Sequence, residues 1–228
     1  MQYQGGKARI AKRIAHIINK ERGGRLLWEP FMGGLWATAA LGGRIDASDR
    51  NPVLASLYNA VRDGYQLPST LTREEYLACK ILPDTDPLKA FAGFGCSWGG
   101  KFFGGFAGGY NGPLTYVELA KRNVERHVRA LSETTFACRD FFEREPCAGV
   151  FGYLDPPYRG TTGYGAWDSD AFEARVAEWV ESGSTLYVSE YRFPFGEECF
   201  ARTAKRTLGA SNGPKEATTE RLFRCSAT

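Results

Sequence analysis

The sequence predicts an α/β protein: a largely parallel sheet sandwiched between helices, with one insertion. Short apolar runs alternate with longer segments whose apolar residues recur every three or four positions, as buried strands and amphipathic helices do. Several runs stop at a glycine, proline or acid, the residues expected where a doubly wound sheet opens its ligand crevice. A chain of 228 residues can bury one real core and carry a modest appendage.

The elements follow in order. Ile10, Ile14, Ile17 and Ile18 share a helical face, so residues 8–20 are predicted helical, entered from the loop Gln4-Gly5-Gly6-Lys7. Leu26-Leu27-Trp28-Glu29 reads as a buried strand stopped by Pro30, residues 35–42 as a short helix, and Arg44 to Ser48 as a second strand. Pro52 suits a first helical position and opens a helix to Arg62. Regularity resumes with Val117, Ala120, Val124, Val128 and Leu131 on one helical face. Strands are then expected at Thr134–Cys138, Val150–Leu154 and Ser184–Ser189, with a helix near 169–182. Ser211-Asn212-Gly213-Pro214 reads as the turn of a closing hairpin. Residues 63–114 form the expected insertion, dividing the main domain into 1–62 and 115–228. Within 93–112 nine residues are glycine and six aromatic, and Lys101 carries the only charge. Aromatics interleaved with glycines suit a cleft that meets unstacked bases.

Composition narrows the class. No apolar stretch reaches about 18 residues and the N-terminus lacks an apolar leader core, so neither a membrane span nor a secretory signal is expected. The six cysteines are scattered with no Cys-x-x-Cys and there are two histidines, which argues against a metal site and for reduced thiols in a cytoplasm. Net charge is +3 but unevenly spread: residues 1–25 hold seven Lys/Arg against one acid, Glu21. That suits a phosphate-bearing partner as well as it suits a solvated helix face. No helix shows an apolar stripe that argues for a dimer, so a monomer is expected.

The chemistry concentrates at strand ends. Asp155-Pro156-Pro157-Tyr158 follows the apolar run Val150-Phe151-Gly152-Tyr153-Leu154. The lone pair of an exocyclic base amine is conjugated into its ring. A carboxylate and a backbone carbonyl, each accepting one amine hydrogen, would localise that pair. Asp155 and the Pro156 carbonyl can do so, Pro157 removes a competing N–H, and Tyr158 offers a flat face to an extruded base. Glu29-Pro30-Phe31-Met32-Gly33-Gly34 follows the first strand, where glycines admit a ligand to the backbone. It is not Gly-x-Gly-x-x-Gly, so a dinucleotide is not expected. Asp49 follows the second strand, where an acid grips ribose hydroxyls in this architecture, and Asp140-Phe141 repeats the acid-and-aromatic pattern after a third.

On these motifs the chain resembles the D12 class DNA adenine N6-methyltransferases, specifically the Dam-like alpha group and its small phage relatives. Tyr3-Gln4-Gly5-Gly6-Lys7 resembles the N-terminal cofactor motif, Glu29–Gly34 the glycine motif, Asp49 the ribose acid and Asp155–Tyr158 the catalytic motif. Tyr3 stands where Dam has tryptophan, and 63–114 agrees only in position and general character, so Dam's GATC preference does not carry over. The resemblance implies a Rossmann-like S-adenosylmethionine-dependent methyltransferase sheet with an inserted target-recognition subdomain. It implies action on adenine in double-stranded DNA, without a metal, in a bacterial or phage-infected cytoplasm. S-adenosylmethionine would meet Tyr3, Gly6 and Lys7, with Phe31 and Gly33 beside it, Asp49 on its ribose, Asp140 and Phe141 on its adenine, and Asp155 at the methyl end. An ionised Asp155, the Pro156 carbonyl and Tyr158 would hold the target base. Lys101, Tyr158 and Tyr164 would face DNA, and Gly160–Gly165 would form a flap. Cytosine N4, RNA adenine, a protein amide, or silent DNA binding are the alternatives, and the acid at 155 favours adenine.

Overall fold

A computed structural model describes residues 1–161, 167–205 and 217–227. Tyr164, most of the expected flap and the expected 211–214 turn lie outside the described residues.

The chain runs α1 (Ala11–Arg22), β1 (Leu27–Glu29), α2 (Trp36–Leu41), β2 (Ile45–Asp49), α3 (Pro52–Arg62), α4 (Arg73–Ala78), α5 (Pro87–Ala90), β3 (Tyr110–Asn111), β4 (Leu114–Thr115), α6 (Tyr116–Arg129), β5 (Thr135–Cys138), β6 (Phe151–Leu154), α7 (Ser169–Glu181), β7 (Thr185–Glu190), β8 (Glu197–Lys205) and β9 (Ala217–Cys225). Seven strands form one sheet in the order β5-β2-β1-β6-β7-β9-β8. The first five are parallel, and β9 lies antiparallel to both β7 and β8. This is the mixed α/β sheet the sequence predicts, of the Rossmann-like kind found in S-adenosylmethionine-dependent methyltransferases.

Alternation along the strands splits the core in two. Leu27, Ile45, Phe151, Tyr153, Tyr187 and Leu222 join one cluster with α1, α3 and α6. Trp28, Leu154, Leu186, Val188 and Phe223 join the other with Phe172, Val176 and Trp179 of α7. Tyr76, Phe91 and Phe94, from the stretch between α3 and α6, belong to the first cluster. There Tyr76 Oη lies 2.7 Å from Ser97 Oγ, and Gly105 N–H donates to Tyr76 at 3.3 Å.

Some boundaries differ from expectation. The Lys7 carbonyl accepts from both Ile10 and Ala11, so a tight turn precedes α1 and the helix begins at Ala11 rather than at 8. Leu26 stays outside β1 and half exposed, because pairing starts where Leu27 N–H donates to the Arg44 carbonyl. The basic N-terminal stretch is also less free than composition implied. Arg22 is buried, its guanidinium donating to the carbonyls of Arg25, Gly42 and Arg44, and Arg25 lies over the Phe151 ring.

The sheet's edge pair is tied to α1. Arg224 donates to both Glu21 carboxylate oxygens at 2.7 and 2.8 Å, and Tyr187 Oη donates to Glu21 Oε2 at 2.6 Å. Among the described residues no helix is long and apolar enough to cross a membrane.

Candidate active site

Strand order locates the site. Neighbours run β2 then β5 on one side of β1, and β6 then β7 on the other, so the winding reverses between β1 and β6. The loops leaving those two strands diverge and leave a crevice beyond their carboxyl ends. A cavity of about 670 Å³ lies there, within the range of small-ligand sites.

The N-terminal loop forms one wall. Gly6 N–H donates to the Tyr3 carbonyl and Gln4 N–H to the Gly100 carbonyl at 3.2 Å, while the Tyr3 ring packs on Phe94 with centroids 4.8 Å apart. This loop delivers Lys7, which is 5% exposed, into the crevice. The β1 and β2 ends form the floor. Asp49 accepts Gly33 N–H at 3.1 Å on one oxygen and Asn51 N–H at 3.0 Å on the other, and Tyr58 Oη donates to the Gly33 carbonyl at 2.5 Å. Asn51, not Asp49, caps α3. Gly33 has φ +42°, and a Cβ there would meet the Tyr3 ring at 3.0 Å, so the close approach needs glycine. At the β5 end Asp140 accepts Phe142 N–H at 2.9 Å, and Phe141 is buried among Trp28, Phe31 and Phe172.

The β6 end holds the charges. Lys7 Nζ lies 2.8 Å from Asp155 Oδ1 and 3.2 Å from Glu220 Oε1, donates to the Gly5 carbonyl at 3.1 Å, and sits 4.6 Å from the Tyr158 ring centroid. Tyr158 Oη donates to Glu220 Oε1 at 3.2 Å, and Tyr191 packs edge-on against the Tyr158 ring. Glu190 accepts Arg159 N–H at 3.0 Å and pins the backbone just after Tyr158.

Burial dominates the electrostatics. Desolvation pushes Asp155 up to about 6 although Lys7 opposes it, and pushes Asp49 up to about 6 against its two backbone hydrogen bonds. Asp155 is therefore not the ordinary carboxylate its sequence position suggested. Lys7 loses solvation, but Asp155 and Glu220 more than compensate and hold it protonated. Glu29 is fully buried and driven far above the usual carboxylate range; its Oε1 accepts from Thr38 at 3.2 Å and its Oε2 has no partner among the described residues.

Tyr3, Gly6, Lys7, Phe31, Gly33, Asp49, Asp140, Phe141, Asp155, Pro156 and Tyr158 all line this one cavity. Lys101 is exposed and is not among the residues lining the cavity, although its neighbour Phe102 is. Glu29, Trp167, Tyr191 and Glu220 also line it and were not singled out from the sequence. Glu29 had a signal, an acid closing a buried strand. Glu220 had none, since only strand pairing brings it here. Among the described residues no group of three or more His, Cys, Asp or Glu is arranged to hold a metal ion.

None of the curated proteins compared matches the chain. Residues 3–80 match the family model of the D12 class N6 adenine-specific DNA methyltransferases, a segment that holds Tyr3, Lys7, Phe31, Gly33 and Asp49 and stops short of Asp155.

Proposed function

We propose that the protein is a DNA methyltransferase that uses S-adenosylmethionine to methylate N6 of an adenine flipped out of double-stranded DNA. The observation that carries this reading is the buried Lys7–Asp155 ion pair, which lines the same cavity as Gly33 and Asp49. The family match over residues 3–80 supports it from the cofactor side.

The residues fit the cofactor. Glu29 Oε2, in the cavity wall and unpartnered among the described residues, suits an amino-acid ammonium, whose positive charge would offset the burial that holds this carboxyl protonated. Asp49 has spare acceptor capacity beside its two backbone bonds and suits ribose hydroxyls. Phe31, Phe141 and Trp167 supply apolar rings for an adenine. Bound there, S-adenosylmethionine would supply an electrophilic methyl group. Asp155, ionised above about pH 6, would accept one N6 hydrogen and the Pro156 carbonyl the other, drawing the nitrogen lone pair out of conjugation. Lys7 keeps the carboxylate oriented, and Asp155 stabilises the positive charge that develops on N6 in a desolvated site. Tyr158 would bound the base, and residues 63–114, with the exposed Lys101, would face the duplex.

Incubation with unmethylated DNA and isotopically labelled S-adenosylmethionine, followed by nucleoside mass spectrometry, tests this. Labelled N6-methyladenine is expected from the wild type and none from a folded Asp155→Ala variant. N4-methylcytosine instead would overturn the base assignment. Cofactor binding with no labelled nucleoside would move the substrate to RNA or protein.

A further inference from the structure

We propose that Glu220, on β9, is a positioning residue of this centre: it shares the Lys7 ammonium with Asp155 and fixes the Tyr158 hydroxyl, so the arrangement around Asp155 is set from the last strand of the sheet. The inference deepens the function proposed above and rests on it for its catalytic meaning.

The donors count out. A lysine ammonium has three N–H groups, and Lys7 has three oxygens within reach: the Gly5 carbonyl at 3.1 Å, Asp155 Oδ1 at 2.8 Å and Glu220 Oε1 at 3.2 Å. With the side chain 4% exposed, removal of Glu220 would leave one donor without an acceptor in a nearly dry site. The same Glu220 oxygen accepts from Tyr158 Oη at 3.2 Å, so one carboxylate orients both neighbours of Asp155. Glu220 is the more exposed partner, 32% against 17% for Asp155.

The last strand is in turn held to the lysine's own helix. Glu21, in the last turn of the α1 helix that Lys7 precedes, accepts from Arg224, four residues after Glu220 on β9. Lys7 and Glu220 are thereby fixed to each other through main chain and a second ion pair, which a chance surface contact would not require.

The titratable groups facing Asp155 are Lys7 from the N-terminal loop, Glu29 from β1, Glu190 from β7 and Glu220 from β9, with the hydroxyls of Tyr153 and Tyr158 beside it. Glu220 is a like charge and helps raise Asp155, whereas Lys7 lowers it. Glu220→Gln keeps the shape and removes that repulsion, so Asp155 should titrate at lower pH than in the wild type.

The experiment is a pH titration of protein carrying carbon-13 at the aspartate carboxyl, the Asp155 signal being assigned by its loss in Asp155→Asn. In Glu220→Gln the Asp155 midpoint is expected below the wild-type value near 6, and the acid limb of kcat should move the same way. Glu220→Ala, which removes the charge without leaving an amide, should shift it in the same direction. An unchanged midpoint in both folded variants overturns the inference whatever their activity. Failure of the wild type to methylate any DNA adenine would overturn the proposed function, and the titration would still decide the role of Glu220.

Discussion

Gly100 secures the Tyr3–Lys7 wall of the crevice by being small. Its φ is +68°, a Cβ there would collide with the backbone nitrogen of Tyr3, and its carbonyl accepts Gln4 N–H. Gly100→Ala should therefore lift the Tyr3–Lys7 loop and weaken S-adenosylmethionine binding by roughly tenfold or more, the scale set by a 1–3 kcal/mol steric and hydrogen-bond loss. Gly109→Ala, where a Cβ would meet nothing within 4 Å, serves as the control. Equal affinities in a calorimetric titration would remove Gly100 from the site. At this scale the sequence was most legible where a residue type is uncommon in its setting. An acid followed by two prolines at a strand end, or glycines after a buried strand, has few structural reasons to exist. Charge state was not legible. Asp155 titrates near 6 because the fold strips its water, and no motif carries that information.

The tie between α1 and β9 sets how firmly the edge of the sheet is held. Arg224 meets Glu21 through two nitrogens and Tyr187 adds a third donor, yet both ion-pair partners remain about a third exposed. Arg224→Ala should cost about 1 kcal/mol, the upper end for exposed pairs because the geometry is bidentate. Urea denaturation should show a lower midpoint with an unchanged slope; an unchanged midpoint would mean the tie is dispensable. Strands β1, β2, β5, β6 and β7 could be read from their apolar runs. The closing hairpin was also legible, but not the insertion of β9 between β7 and β8, because register across a sheet is decided by partners distant in sequence. The helices α4 and α5 were missed for a different reason. They are short, and the first is specified by the capping box of Thr72 and Glu75 rather than by a long apolar period.

Over the whole molecule, buried ionisable groups pull stability in opposite directions. Asp155 is near 6 when folded and 3.8 ordinarily, so between those values the folded state binds the extra proton, and this group adds stability as pH falls. His127 is the reverse: burial, helped by the Met1 amino group and Arg126, lowers it from 6.5 to about 3. There the unfolded chain takes the proton first, and stability drops as pH falls through 6.5. Removing each group should tilt the curve oppositely. Going from pH 7 to pH 5, Asp155→Asn should lose more stability than the wild type, and His127→Gln should lose less or gain. Chemical denaturation at the two pH values measures both slopes, and parallel slopes for all three proteins would contradict the assignment.

The strand order also governs when the chain becomes competent during its own synthesis. Lys7 leaves the ribosome before Asp155, and Glu220 follows both, on β9. A nascent chain that has passed residue 80 already carries the loops of Gly33 and Asp49, yet its Lys7 has no carboxylate at 155 or 220 to meet. The Gly33 and Asp49 loops thus come first, Asp155 reaches Lys7 once β6 lies beside β1, and Glu220 completes the charged centre when β9 slots between its two neighbours.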